Sequence, residues 1–488
     1  MNRVAIFVLA LFAIQTLEGT ALYFSFGCGV FILIAAFAFN TAGGLSRASG
    51  AYIFAYSVLV VIIGLCYKAF LGEPAESNLQ APISTIEAYV GSITAMYAAV
   101  VVSRRFSRRS GLLQHILKES EMYRSSVGCI VLGVAGAFVI ALLGESAVRL
   151  QTAFAQLNDL VPLGIIIGVM YEIRRSGGSR SINIPIAVGI AYVFFLGMTG
   201  FSKEGMLIPL LCWFLPVAAL RFRLATWQII ACFLAAFIIF HYLVPFSQYG
   251  RGLVTQDATL QQRIDVAVPL LEHPEETRRI YEEQESEQLV ESSHWGGYYN
   301  TPQGFWDRLQ FISVDDSLID FTNRVRVVGF GPIIESFANT VPRIFWPNKP
   351  PPRFGGNFYA HEMGGLAEED TTTGISFSPT AEAYHIARWV GILVVAPLLW
   401  FLLFVVFDSL FGDLRATPWG LLSIAAISHA APEGGLSGMI HLLTFGAEIL
   451  IFCALFATWV APLLAASVLG PERRNTPKVL VPRRPRTA

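Results

Sequence analysis

The chain has 488 residues, of which 54% are hydrophobic and only 14% charged, against about 25% charged in an ordinary soluble domain. That balance excludes an aqueous globule and a disordered chain, and the formal net charge of -1 is a sum over unlike regions that separate once the membrane is located. The six cysteines, Cys28, Cys66, Cys129, Cys212, Cys232 and Cys453, all fall in apolar runs, where a thiol behaves as a small hydrophobe. They form no CxxC pair, zinc spacing or disulfide framework.

A spanning helix needs about 20 mostly apolar residues, and twelve runs qualify as candidates. In chain order the first six lie near 4–17, 21–39, 51–71, 86–103, 127–144 and 159–173. The other six lie near 184–200, 205–220, 224–245, 387–407, 418–432 and 440–465. The first run resembles a signal peptide, but no small-x-small cleavage site follows it, so a retained helix is expected. Short cytoplasmic connections are enriched in Lys and Arg. Alternate connections carry Arg47, the Arg104 to Arg124 cluster, Arg174, Arg175, Arg180, Arg221, Arg223 and Arg415, and Arg3 and the C-terminal tail bring that side to 20 basic residues. The opposite short connections hold only Lys68, Arg149 and Lys203, so both termini are expected in the cytoplasm.

The expected organisation is therefore nine helices over 1–245, one large outer loop over 246–383, three helices over 384–470 and a basic tail over 471–488. The 138-residue loop carries 20 acidic and 10 basic residues and is far longer than an ordinary connection, which points to a functional or separately folded segment. Glu272 to Glu291, with eight glutamates, reads as a solvated helix or flap. Phe305, Leu309, Ile312 and Ile319 recur at helical spacing, and Pro332 opens a second stripe with Ile334, Phe337 and Val341. These predict amphipathic helices lying on the membrane or roofing the bundle.

Within and around this loop lie the residue types that could carry chemistry. The run Val341-Pro-Arg-Ile-Phe-Trp-Pro-Asn-Lys-Pro350 cannot be a continuous helix, so Arg343 and Lys349 project from a semi-rigid support suited to a phosphate. The same run also fits an interfacial anchor, with Phe345 and Trp346 at headgroup level. In the turn Thr199-Gly-Phe-Ser-Lys-Glu-Gly205, Lys203 opposes the charge trend and is expected at the outer mouth; the plainer reading is an exposed Lys203–Glu204 pair. Arg251 and Arg263 follow the ninth run, and Arg308, Arg324 and Arg326 lie further on; some of these arginines only snorkel. Glu382 and His385 share a helix face at the return into the membrane, with His361 and Glu362 upstream, and a carboxylate or imidazole there can act as a general base or merely cap the helix. HExxH is absent, so a zinc protease is not supported. Glu448 interrupts the twelfth run, near His429, Glu433 and His441, and an ionisable group in a span is either functional or partnered across helices.

The motif Pro-Arg-x-x-Trp-Pro-x-Lys-Pro at 342–350, the Ser202-Lys203 turn and the Glu382 to Gly391 stretch together resemble the bacterial oligosaccharide repeat-unit polymerases, the Wzy-type O-antigen polymerase family. The acidic insertion at 272–291 and Ala381-Glu382, where Gly-Glu is frequent, depart from commoner members. The resemblance implies an all-α polytopic membrane protein, GT-C-like, with about 12 transmembrane helices and a large periplasmic loop in the bacterial inner membrane. It implies a glycosyltransferase that moves a growing glycan from undecaprenyl pyrophosphate onto a fresh lipid-linked repeat unit. No metal, other cofactor or nucleic acid is expected, and partners would be membrane lipids, a chain-length regulator and a flippase. On this reading Lys203, Arg251, Arg263, Arg324, Arg343 and Lys349 bind pyrophosphate or substrate, and Glu382, with His385 or His361 as alternates, is the base. An O-antigen ligase and a lipid-linked oligosaccharide flippase are the competing readings.

Overall fold

The computed structural model describes residues 1–143, 156–255, 258–291, 297–301, 303–341, 345–346, 348–350, 354–366 and 375–469. Among them the chain is helical, with no strand and a single isolated bridge between Phe377 and Gly434. Among the described residues the 387–407 run starts at a break and the 440–465 run is divided between two helices, and otherwise the twelve predicted apolar runs are helical. The first nine are α1 (Asn2–Leu17), α2 (Leu22–Ala42), α3 (Ala48–Phe70), α4 (Pro82–Phe106), α5 (Met122–Leu143), α6 (Leu160–Arg175), α7 (Ile184–Thr199), α8 (Lys203–Ala219) and α9 (Thr226–Leu253).

An excursion over 254–378 follows. It contains α10 (Leu260–Glu272), α11 (Pro274–Glu291), α12 (Ile312–Arg324), α13 (Gly331–Asn339) and α14 (Gly356–Glu362). The chain then returns through α15 (Pro379–Val390), α16 (Ala396–Phe411), α17 (Pro418–Glu433), α18 (Gly435–Trp459) and α19 (Ala461–Leu469).

Six of these helical stretches are long and apolar enough to cross a membrane: α2, α3, α4, α9, the α15–α16 stretch and α18. This is the architecture of a polytopic α-helical membrane protein. Helices such as α1 and α7, with 16 residues each, rise only about 24 Å and fall short of the roughly 30 Å apolar core of a bilayer.

Local chemistry explains where the helices begin. Asn183, Ser202, Ser378 and Thr417 stand at N-caps and accept backbone N–H bonds from Ile186, Gly205, Thr380 and Gly420 respectively, satisfying donors a helix start would otherwise leave bare. Proline occupies the first turn of α4, α15 and α17, where its missing N–H costs nothing. The α15–α16 stretch is not one rod. Ala387 (φ -156°, ψ 30°) and Arg388 (φ 48°, ψ -128°) break it, and a π-helical turn at Gly391–Val395 precedes α16. The expected tenth span at 387–407 therefore begins at a break, and the helix carrying Glu382 and His385 is a separate short rod in front of it.

Helix α9 runs on to Leu253 and α15 starts at Pro379, so both bounds of the expected 246–383 loop fall within helices. Residues 305–319 do not form one amphipathic helix, which corrects that expectation. A 3₁₀ turn at Gly304–Leu309 ends in extended backbone at Gln310, and only Ile312 onward is α-helix. The cause is that α12 docks by charge as well as by apolar side chains. Asp315 accepts from Tyr89 Oη at 2.7 Å and from Ser378 N at 2.9 Å, while Asp316 accepts from Thr85 Oγ1 at 2.7 Å and Ala81 N at 3.1 Å. These buried carboxylates roof the bundle with α12. The second stripe does form α13, with Ile334 and Phe337 left exposed.

Lys68 is not a loop cation. It is wholly buried in α3, donates to Ser77 O at 2.5 Å and to Tyr298 O, and stands 4.1 Å above the Tyr298 ring. It thereby pins the excursion to the bundle. Arg149 and Arg343 lie outside the described residues.

Candidate functional site

The turn between α7 and α8 builds the first wall of the site. Ser202 caps α8, placing Lys203 in its first turn, so a cation and the positive end of a helix coincide. Phe201 is held in the left-handed region (φ 48°) and buried. Its carbonyl accepts from Ser247 Oγ at 2.7 Å and from Arg251 at 3.1 Å, which locks the end of α9 onto the turn. Gly197 and Gly205 allow α7 and α8 to touch, since a Cβ on Gly197 would stand 2.5 Å from the Gly205 carbonyl carbon.

The second wall is the junction of α17 and α18. Gly434 and Gly435 separate the two helices, and Gly435 has φ 56°, a conformation that favours glycine. Between the walls opens a cavity of about 1280 Å³ on the side of the bundle that carries the excursion. Lys203, Arg251 and Lys349 all line it, so three of the six proposed pyrophosphate ligands are brought together from residues 48 and 98 positions apart. Lys349 Nζ donates to Asn339 O at 2.9 Å and Val341 O at 3.0 Å, holding its charge against the C-terminus of α13. The Gln248 amide, with its oxygen turned toward them, bridges Lys203 Nζ and Arg308.

Asp159, Glu204, Glu335 and Glu433 share the cavity with these cations. Glu335 accepts from Phe354 N at 3.1 Å. His429 Nδ1 lies 3.8 Å from Glu433 Oε2. The remaining wall is apolar, with Leu207, Leu211, Leu422, Leu442, Phe445 and Leu450. One void therefore offers both a charged rim and a greasy interior.

The other sequence-predicted residues lie elsewhere. Arg263 donates to Ala258 O at 3.1 Å beside the cap of α10, and Arg324 pairs with Asp320 and donates to Gln80 Oε1 at 3.0 Å on the exposed surface; neither lines the cavity. His361, on α14, is not among the residues that line it.

Glu382 is buried behind the cavity wall. Its carboxylate accepts from Tyr359 Oη at 3.0 Å, Ser437 Oγ at 3.3 Å, Ser437 N at 3.4 Å and Leu436 N. That geometry clamps the start of α18, and burial together with this neighbouring carboxylate pushes the Tyr359 phenol far above its ordinary value, so it stays a donor. His385 is buried too, with Nδ1 2.9 Å from Thr322 Oγ1 and Nε2 3.8 Å from Glu362. Asp159 and Glu335 were not singled out in the sequence; an acid directly before an apolar run was the available signal for Asp159.

Among the described residues no cluster of His, Cys, Asp and Glu has the arrangement of a metal site. No protein-family model, curated protein or solved structure matches the chain.

Proposed function

We propose that this protein is a glycosyltransferase that joins lipid-linked oligosaccharide repeat units at the outer face of the bacterial cytoplasmic membrane. The observation that carries the reading is the single cavity that unites Lys203, Arg251 and Lys349 with an apolar wall. An undecaprenyl-pyrophosphate-linked glycan has the matching parts: an isoprenoid tail, a dianionic bridge and a polar sugar chain.

In this reading the tail lies along Leu207, Leu211 and Phe445, the pyrophosphate meets the three cations, and the sugars extend toward the rim. Glycosyl transfer leaves negative charge on the departing pyrophosphate, and preorganised cations stabilise that charge where water is excluded. Arg251 adds a planar fork and the lysines act as point charges. The first turn of α8 contributes a further positive potential. The bundle, on this account, crosses the inner membrane about twelve times in a GT-C-like arrangement, with cytoplasmic termini and the excursion in the periplasm. The exposed Ile334 and Phe337 face of α13 would rest on the outer leaflet, and a chain-length regulator and a flippase would work beside it.

The test is a deletion strain complemented with Lys203→Ala, Arg251→Ala or Lys349→Ala, with surface glycan resolved by length at matched expression. The reading predicts single repeats retained and ladders lost. Wild-type ladders in all three variants, or repeat units stranded on the cytoplasmic face of the deletion strain, would overturn it.

A further inference from the structure

Resting on that reading, we infer that Glu433 is the general base of the transfer, with His429 as its proton acceptor in relay, and that Glu382 is a positioning residue. The argument begins with access. A base must reach the acceptor hydroxyl to within hydrogen-bond distance. Glu382 does not line the cavity, and both of its oxygens are already engaged by Tyr359, Leu436 and Ser437. Glu433 does line it, with its side chain 41% exposed.

Among the cavity carboxylates, Glu335 is held by Phe354 N, and neither Glu204 nor Asp159 has a histidine three or four residues away along the chain. Glu433 combines three features: it lies within electrostatic range of Lys203, it projects from the last residue of α17, and His429 stands one helical turn back on the same face at 3.8 Å. His429 is itself 61% exposed, so a proton handed to it can leave to water.

The step balances. The acceptor hydroxyl oxygen bonds to the anomeric carbon of the donor glycan, and the bond from that carbon to the pyrophosphate oxygen breaks. The bonding pair departs with undecaprenyl pyrophosphate, and the hydroxyl proton passes to Glu433 and on to His429.

Glu382 enters one layer back. Its carboxylate receives the first N–H groups of α18, and Gly435 leaves room for it: a Cβ there would stand 2.1 Å from Glu382 Oε2. The clamp fixes the α17–α18 bend, and the bend aims Glu433.

The experiment uses full-length protein in proteoliposomes with undecaprenyl-pyrophosphate-linked repeat units extracted from the deletion strain, and measures elongation against pH together with binding of undecaprenyl pyrophosphate. Glu433→Gln is expected to lower kcat by roughly 10²- to 10⁴-fold, keep binding within about threefold and erase the acid limb of the pH profile. His429→Ala should cost about tenfold. Glu382→Gln should lower the unfolding temperature and kcat yet keep the acid limb. If Glu433→Gln elongates within threefold of wild type while Arg251→Ala does not, the base assignment falls and the polymerase reading stands. Loss of binding or folding in Glu433→Gln makes it a structural carboxylate and overturns the inference. If the wild-type protein releases no undecaprenyl pyrophosphate, the underlying reading fails instead.

Discussion

Asp315 offers a quantitative test of how the excursion is held. Burial pushes its carboxyl up to about 6, even though the Ser378 and Tyr89 donors pull it down, and Asp316 beside it adds to the rise. An unfolded aspartate titrates near about 3.9. The folded state therefore binds the proton more tightly, takes up protons between about pH 4 and 6, and gains stability as pH falls through that window. The difference of roughly two pK units corresponds to about 3 kcal/mol once pH lies below both values, of which about 2 kcal/mol appears between pH 7 and pH 4 and about 1 kcal/mol between pH 7 and pH 5.

Asp315→Asn isolates this contribution. The amide oxygen can still accept from Ser378 N, and the Tyr89 hydroxyl can turn to accept from the amide nitrogen, so the docking survives without the charge. The assay is thermal unfolding in nanodiscs at pH 7 and pH 5 for both proteins. Subtracting the variant cancels titration at groups that do not interact with Asp315. Wild type should gain on Asp315→Asn by about 1 kcal/mol on going to pH 5. A pH-independent difference, or one of opposite sign, would refute the buried-carboxylate account of α12.

Gly435→Ala should destabilise the protein by about 3 kcal/mol or more, from a positive φ and from expelling Glu382 from the backbone N–H groups it accepts, read as a lowered unfolding temperature and lost elongation. Lys68→Met should remove the ammonium donor from the Ser77 and Tyr298 carbonyls, leaving Tyr298 O only the longer Asn78 contact, and loosen the 297–301 segment, seen as faster hydrogen exchange there than in α12. Arg251→Ala should weaken binding of undecaprenyl pyrophosphate by about 10- to 100-fold, the loss of a charge-assisted contact worth about 1.5–3 kcal/mol, and Arg251→Lys should recover only part of it.

The helices were legible because bulk apolarity needs no knowledge of partners, and the predicted runs fall largely on them. What composition could not show is where a helix breaks. Ala387 and Arg388 look like ordinary helix formers, and only the close approach of Gly391 to the Ala383 carbonyl explains the turn there. The cavity was half legible: Lys203 and Lys349 stood out by their local context, but Arg251 joins Lys203 through the Phe201 carbonyl that locks α9 to the α7–α8 turn. Glu382 and His385 were visible as an i,i+3 pair, yet spacing does not say which face is solvated, and theirs is packed against Tyr359 and Thr322. Glu433 and His429 carried the same kind of signal at i,i+4. What the spacing could not show is that this pair lines the same cavity as Lys203. The aspartates of α12 were hidden inside an apolar stripe, where tertiary partners on α4 and α15 overrode the sequence pattern.

The central claim is that the cavity joins lipid-linked repeat units and releases the lipid pyrophosphate. The most direct measurement supplies purified protein in liposomes with undecaprenyl-pyrophosphate-linked repeat units and follows glycan length and released undecaprenyl pyrophosphate together. The account predicts a ladder, with one undecaprenyl pyrophosphate freed for each new linkage and neither product from Arg251→Ala. Repeat units that cross the bilayer unchanged, with no ladder and no release, would contradict it.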